Sequence, residues 1–362
     1  MPTADPQTRR WFHLTPGHFV LALLAVEFLL FLSQRFRWLP KGWPVLIAVA
    51  SVGAFVLAMS LWLGVALVFR QKFQFSIMSL LILVVVVALP CSWMPVEMKK
   101  AREQKAAVEG IGQLDGQVTY DYASPRLDST TMNQPEPSGW LWLRNLLEDD
   151  FFNDVVQANL SSDAELECLK GLTQLKELHL GNSQITDAGL QHIQGLTRLE
   201  LLDLTNTQAT DAGLAHLEGL TTVEVLGLGN TQITDAGLPH LAGLAQLKEL
   251  DLDHTRTTDE GLQLITGLSR LDALQLDGTQ VTDLGLAHIK GLTQLARLSL
   301  DFTQITDAGL IPIEVLTKLE HLSARNSKVT AAGVAKLQEI LLGCDIAGPR
   351  HPFEKNADDG VE

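Results

Sequence analysis

The chain has 362 residues, 46% hydrophobic and only 19% charged, with a formal net charge of −15. That charge is unevenly placed: residues 1–105 carry 11 Lys and Arg against 4 Asp and Glu, and residues 106–362 carry 16 against 38. A basic, apolar first third and an acidic remainder argue against a single soluble globule and a nucleic-acid binder. The three scattered cysteines, Cys91, Cys168 and Cys344, argue against a disulfide framework.

In chain order, residues 15–33, 44–69 and 75–93 are the predicted membrane spans. The segment 44–69 holds 26 residues without a charge, and 75–93 is likewise uncharged, where a bilayer core needs about 20 in a helix. Only Arg70, Gln71, Lys72, Phe73 and Gln74 separate these two, so they read as a tight helical hairpin. The segment 15–33 carries Glu27 near its middle, a cost of about 2.5–3.5 kcal/mol that its Leu, Phe and Val can offset. Neither other span offers a Lys, Arg or His to pair with it. Glu27 therefore reads as a protonated or snorkelling carboxyl at a helix contact rather than a transport group. The spans that follow argue against a cleaved signal peptide. Arg35, Arg37, Lys41, Lys99, Lys100, Arg102 and Lys105 outnumber Arg9, Arg10, Arg70 and Lys72 on the opposite side. The count puts the large domain on the cytoplasmic face of the membrane.

Residues 1–98 are thus the predicted anchor, and 99–139 a juxtamembrane helix, a short strand near 117–122 and a Ser/Thr/Pro-rich linker. The glycines at 110, 112 and 116 have the wrong spacing for a dinucleotide loop and no strand before them. Residues 140–171 read as an N-terminal cap: an amphipathic helix over 140–156, with Leu143, Leu146, Leu147 and Phe151 on one face, then the helix half of a repeat.

From Leu172 the sequence copies itself every 24 residues, restarting at Leu196, Leu220, Leu244, Leu268, Leu292 and Leu316. Leu178 and Leu180, two apart, face the core from a short strand. Thr186, Thr210, Thr234, Thr258, Thr282 and Thr306 are placed to cap the following helix. The Asp after each one (Asp187, Asp211, Asp235, Asp259, Asp283, Asp307) stands at that helix's positive end. Gly195, Gly219, Gly243, Gly267 and Gly291 read as left-handed C-caps. The spacing Leu175-x-x-Leu178-x-Leu180-x-x-Ser183-x-Ile185 matches the leucine-rich-repeat signature. The predicted fold is therefore α/β: a right-handed leucine-rich-repeat solenoid over 172–348, preceded by an all-α transmembrane anchor and followed by a disordered tail, 349–362.

Nothing in the chain spells a zinc site, a phosphate loop or a nucleophile elbow, so the expected function is non-catalytic, without cofactor. His192, His216, His240 and His288 recur in phase, and a half-exposed repeat position accounts for them without a metal. The informative residues face outward from the concave sheet, where the repeat framework does not dictate them. There Glu249, Asp251, Asp253, Asp277 and Asp301 form an acidic strip. Like charges in its Asp253, Asp277 and Asp301 column oppose one another. Phe302 stands exposed beside the strip, and Leu201 and Val225 are apolar positions on the same face. The expected partner is a protein with a basic patch, with the lipid bilayer holding the anchor and no nucleic acid involved. Self-association as an envelope component is the alternative.

The repeat Gln-Ile/Val-Thr-Asp-Ala-Gly-Leu-x-His-Leu/Ile-x-Gly-Leu-Thr resembles the membrane-anchored leucine-rich-repeat proteins of planctomycetes. The run from Phe73 to Leu81, the Ala88-Leu-Pro-Cys-Ser-Trp93 and Val96–Gln104 motifs, Gly116-x-Val-x-Tyr-Asp-Tyr122 and Asp149-Asp-Phe-Phe152 are similar to their shared anchor. The resemblance implies an integral membrane protein with an interaction domain and brings no established activity. The repeats also resemble those of F-box substrate receptors, a role in protein turnover, but predicted spans stand where the F-box would be.

Overall fold

The computed structural model describes residues 77–121, 151 and 153–348, with isolated positions from 47 to 57; of the side chains of 77–93 only the backbone course is described. The predicted span 15–33, nearly all of 44–69, most of the helix expected over 140–156 and the tail 349–362 lie outside these residues; Val155 and Val156, expected to end that helix, open a strand instead. Among the described residues no helix is long and apolar enough to cross a membrane. A helix does run over Ile77–Gln113.

Ten strands form one sheet in strict chain order. The first, β1 (Gln117–Tyr120), lies antiparallel on β2 (Val155–Asn159), and from β2 onward every neighbour is parallel. Strands β3 (Glu177–His179), β4 (Leu201–Asp203), β5 (Val225–Gly227), β6 (Glu249–Asp251), β7 (Ala273–Gln275), β8 (Arg297–Ser299), β9 (His321–Ser323) and β10 (Asp345–Ala347) pair with an offset of 24, so equivalent residues stand side by side. We number the coils 1 to 7 from Leu172.

The period sets the core. In coil 1, Leu172, Leu175, Leu178, Leu180, Ile185, Leu190 and Ile193 are all buried, and their equivalents repeat the pattern along one continuous hydrophobic interior. No coil could bury these side chains alone; each face is covered by the next coil. One core position departs: Thr257 is fully buried where other coils have Ile, Ala or Val. Its hydroxyl is satisfied at 2.8 Å by Thr255, which also reaches the Leu252 carbonyl, as a buried polar group requires.

The threonine caps form as expected. Thr186 Oγ1 accepts from Ala188 N at 3.3 Å, and the same bond recurs at Thr210, Thr234, Thr258, Thr282 and Thr306. The aspartates beside them do more than face a helix dipole. Asp187 reaches into the next coil and takes two hydrogen bonds from Thr210, from its N–H at 2.8 Å and its hydroxyl at 2.6 Å. The clamp repeats at every junction, from Asp163–Thr186 to Asp307–Thr330. Ala331 stands where coil 7 would carry its Asp, and no eighth threonine follows for it to hold.

The clamp explains a glycine column. A Cβ at Gly189, Gly213, Gly237, Gly261, Gly285, Gly309 or Gly333 would stand well inside 3.0 Å of the preceding coil's Asp Oδ1. Glycine is needed here for close approach, on a backbone of ordinary φ.

Two expectations are corrected. Gly195, Gly219, Gly243, Gly267 and Gly291 are not left-handed caps: among described glycines only Gly278 has positive φ. Each short helix or turn instead closes through a bond such as Leu196 N to Ile193 O, 2.9 Å, which needs no left-handed residue. The left-handed position lies after each strand, at Asn182, Asn206, Asn230, His254, Gly278, Phe302 and Asn326. Second, the segment before coil 1 keeps its strand as well as its helix half. β2 carries Ala158 into the core, and Ile111 joins that core from the end of the long helix. Antiparallel β1, expected as part of the linker, is the outermost strand at this end of the sheet.

Candidate interaction face

The strand side presents three outward positions per coil. The first column runs Glu177, Leu201, Val225, Glu249, Ala273, Arg297, His321, side by side by register. Leu201 and Val225 are half-buried there. Glu249 is not a free acidic group: Arg297, two coils on, forms an ion pair with it over the small side chain of Ala273. This removes Glu249 from the acidic strip, because its charge is already met.

The next two positions hold the remaining aspartates. Where an Asp sits at the third strand residue, the preceding coil supplies a glycine beneath it: a Cβ at Gly181 would lie 2.6 Å from Asp203 Oδ2, and one at Gly229 2.6 Å from Asp251 Oδ2. Asp251 Oδ1 accepts the N–H of Asp253 at 2.8 Å. Asp253, Asp277 and Asp301 do stack in a column, and each turns Oδ1 to the next coil's backbone. Asp253 accepts from Asp277 N (2.7 Å), Asp277 from Asp301 N (2.7 Å), and Asp301 from Arg325 N (2.6 Å). Ser299 and Ser323 hydroxyls add bonds of 2.6 Å to Asp277 and Asp301. The expected like-charge opposition is thus met in part by backbone N–H groups, a partner that residue spacing alone does not reveal. Among the described residues no ion pair or hydrogen bond engages Oδ2 of Asp253, Asp277 or Asp301.

This half-satisfied state shows in the acidities. Burial pushes the Asp253 carboxyl up, and the neighbouring charges of Asp251, Asp277 and Asp301 push it further, to about 7, against the pull of the Asp277 N–H. Burial also raises Asp251, assisted by Asp203 and Asp277 and opposed by the Asp253 N–H and by His254. A cation placed over the strip would remove the repulsive part of both shifts.

Phe302 adjoins the strip, 58% exposed, and holds φ = 56°. Asn, the residue of four other coils here, tolerates that conformation. Asn206 and Asn230 also extend a side-chain ladder back to Asn182, with bonds of 2.9 Å. Phe302 can make no such bond and bears the strain. Sequence reading singled out its exposure; the strain becomes visible only with the backbone, though Asn-Asn-Asn-His-Gly-Phe-Asn down one column is its signature.

On the helix side the histidines pair along the stack. Gln194 Nε2 lies 2.6 Å from His216 Nδ1, and Glu218 Oε1 lies 2.6 Å from His240 Nδ1. No group of three or more His, Cys, Asp or Glu able to hold a metal occurs among the described residues. Cys168 and Cys344, at opposite ends of the stack, are both free thiols. Burial, with Asp345 beside it, pushes the Cys344 thiol up to about 11, so it is no reactive nucleophile at neutral pH.

Leucine-cored coils of 24 residues, stacked in one parallel sheet with a left-handed residue after each strand, resemble a leucine-rich-repeat solenoid. The Leucine Rich repeat family matches at residues 171–193. No curated protein matches the sequence. Among solved structures, internalin C2 of Listeria monocytogenes str. 4b F2365 is similar at 25% identity over 56% of this chain and 87% of that one, with a TM-score of 0.42.

Proposed function

We propose that this protein is a membrane-tethered, non-catalytic interaction module that captures a basic protein on the strand side of its solenoid. The observation that carries the reading is the carboxylate column Asp253, Asp277, Asp301, flanked by Asp251. Its outer oxygens are unengaged, and burial, together with the repulsion of its neighbours, lifts Asp253 to about 7. A Lys or Arg side chain seated there relieves that repulsion and gains charge-assisted hydrogen bonds. Phe302, exposed and strained, supplies an aromatic anchor of the kind that dominates interface energetics. Leu201 and Val225 extend the face with apolar contact.

The tether rests on the uncharged run of 44–69 and on the likeness of the first third to planctomycete anchors. The excess of basic residues after the last predicted span supports the cytoplasmic side. A reporter fused at the C-terminus reads that side directly. Activity inside the cell supports the assignment, activity outside reverses it, and recovery of the intact chain in the soluble fraction of detergent-free lysates removes the tether.

Converting Asp253, Asp277 and Asp301 together to Lys tests the face itself. Partner capture by the full chain is expected to be lost, while the circular-dichroism spectrum of the solenoid is retained. Undiminished capture by the triple variant would falsify the assignment.

A further inference from the structure

Seven copies of one unit make the chain its own control, because any position can be compared with its equivalents under the same fold. On the helix side, four residues of each coil share one outward stripe, spaced i, i+3, i+4 and i+7. In coil 1 these are Ala188, Gln191, His192 and Gly195; in coil 2 Ala212, Ala215, His216 and Gly219; in coil 3 Ala236, Pro239, His240 and Gly243. None of them is a large apolar residue, so the fold does not require one there. Coils 4 to 6 depart. Leu264 replaces the histidine, Leu284 the alanine, Ile311 a Gln or Ala, and Val315 the glycine. All four side chains stand in the open, from 42% exposed at Leu264 to 74% at Leu284. Among the described residues, the helix side of coils 1 to 3 exposes no large hydrophobic.

The charges around the stripe change with it. Lys290 and Lys336 are the only lysines in the helix halves of coils 1 to 7, and Glu260 and Glu314 lie among them, Glu314 within 3.9 Å of Lys336. Elsewhere the domain is strongly acidic and repels its own kind. Here both signs surround an apolar centre, and such a patch is complementary to itself under a two-fold rotation.

We propose that the outer stripe of coils 4 to 6 is a homodimer interface, covered by the same stripe of a second copy. Leu264, Leu284, Ile311 and Val315 form its apolar centre, with Lys290 of one protomer facing Glu260 of its partner beside the Glu314–Lys336 pair of each. This face lies opposite the acidic strand side and leaves that side open in both protomers. A dimer therefore doubles the number of capture faces without competing for them.

The test compares the full chain in detergent micelles with a variant that returns the stripe to the chain's own coil 1–3 residues: Leu264→His, Leu284→Ala, Ile311→Ala and Val315→Gly. Coils 1 to 3 already fold with these residues, so the variant keeps its fold, which circular dichroism verifies. Sedimentation equilibrium is expected to give a dimer for the natural chain and at least a tenfold weaker association for the variant. A monomeric natural chain at 50 µM overturns the proposal, as does a dimer that the four substitutions leave unchanged. Equimolar occupancy of the stripe by a different protein, seen by native mass spectrometry, also overturns it.

Discussion

The solenoid carries two columns of aspartate, one on each side of the stack, and they do different work. On the helix side, Asp187 and its equivalents spend both carboxylate oxygens on one threonine of the next coil. On the strand side, Asp253, Asp277 and Asp301 spend only Oδ1 on the next coil's backbone and leave Oδ2 unengaged. Both columns arise from the same rule, one acidic residue per 24. The difference is that the first column has both oxygens satisfied and ties the coils together, whereas the second keeps one oxygen unengaged at some cost in stability, as the proposed capture of a basic partner requires.

Breaking the satisfied column is expected to have the largest effect. Asp235→Ala strands the N–H and hydroxyl of Thr258, both bonded to it now, and costs about 3 kcal/mol or more by the worth of charge-assisted bonds. Urea denaturation of the variant reads this directly, and Asp235→Asn, which keeps one acceptor, is expected to lose less. Next comes Gly285→Ala, whose new Cβ presses on Asp259 Oδ1. It opens the same junction from the other side and costs roughly 1–3 kcal/mol as an overpacked contact.

The strand side responds in the opposite sense. Phe302→Asn restores the residue that suits φ = 56° and is expected to stabilise the fold by about 1 kcal/mol while weakening partner capture. Loss of stability with unchanged capture contradicts both halves of that expectation.

The smallest effect depends on pH. Asp253 holds its proton more tightly folded, near pH 7, than in the unfolded chain near the ordinary 3.8. Below both values the group favours neither state. As pH rises through that window the folded state loses stability relative to acid, and above it the penalty is complete. Asp253→Asn keeps the Oδ1 acceptor for Asp277 N–H and removes the charge. It is expected to raise the melting temperature at pH 8 and leave it nearly unchanged at pH 4. Equal shifts at the two pH values contradict the cost that burial and the neighbouring carboxylates place on ionising Asp253.

How much of this was legible in the sequence follows from the range of each contact. The leucine ladder repeats with the 24-residue period and the threonine caps close within one coil, so spacing alone reveals them. The Asp–Thr clamp spans 23 residues and exists only once the coils stack, which is why an acidic residue at a helix start reads as a dipole partner. Glycine at 195 and its equivalents ends a helical pattern and invites a left-handed assignment, but a 3-10 closure removes the need. The left-handed column was written instead in Asn182, Asn206, Asn230 and Asn326. On the candidate face the acidic column was legible, since strand register follows from the period. The Glu249–Arg297 pair was not, because it reaches across two coils over an alanine.

A photo-crosslinking amino acid at position 302 of the full chain, in living cells, probes the heart of the account. Adducts to a protein with a basic surface segment should form there and disappear when Asp253, Asp277 and Asp301 are Lys. Adducts that persist in that variant, or none above those from a position on the helix side of coils 1 to 3, would show that the half-satisfied column holds no partner.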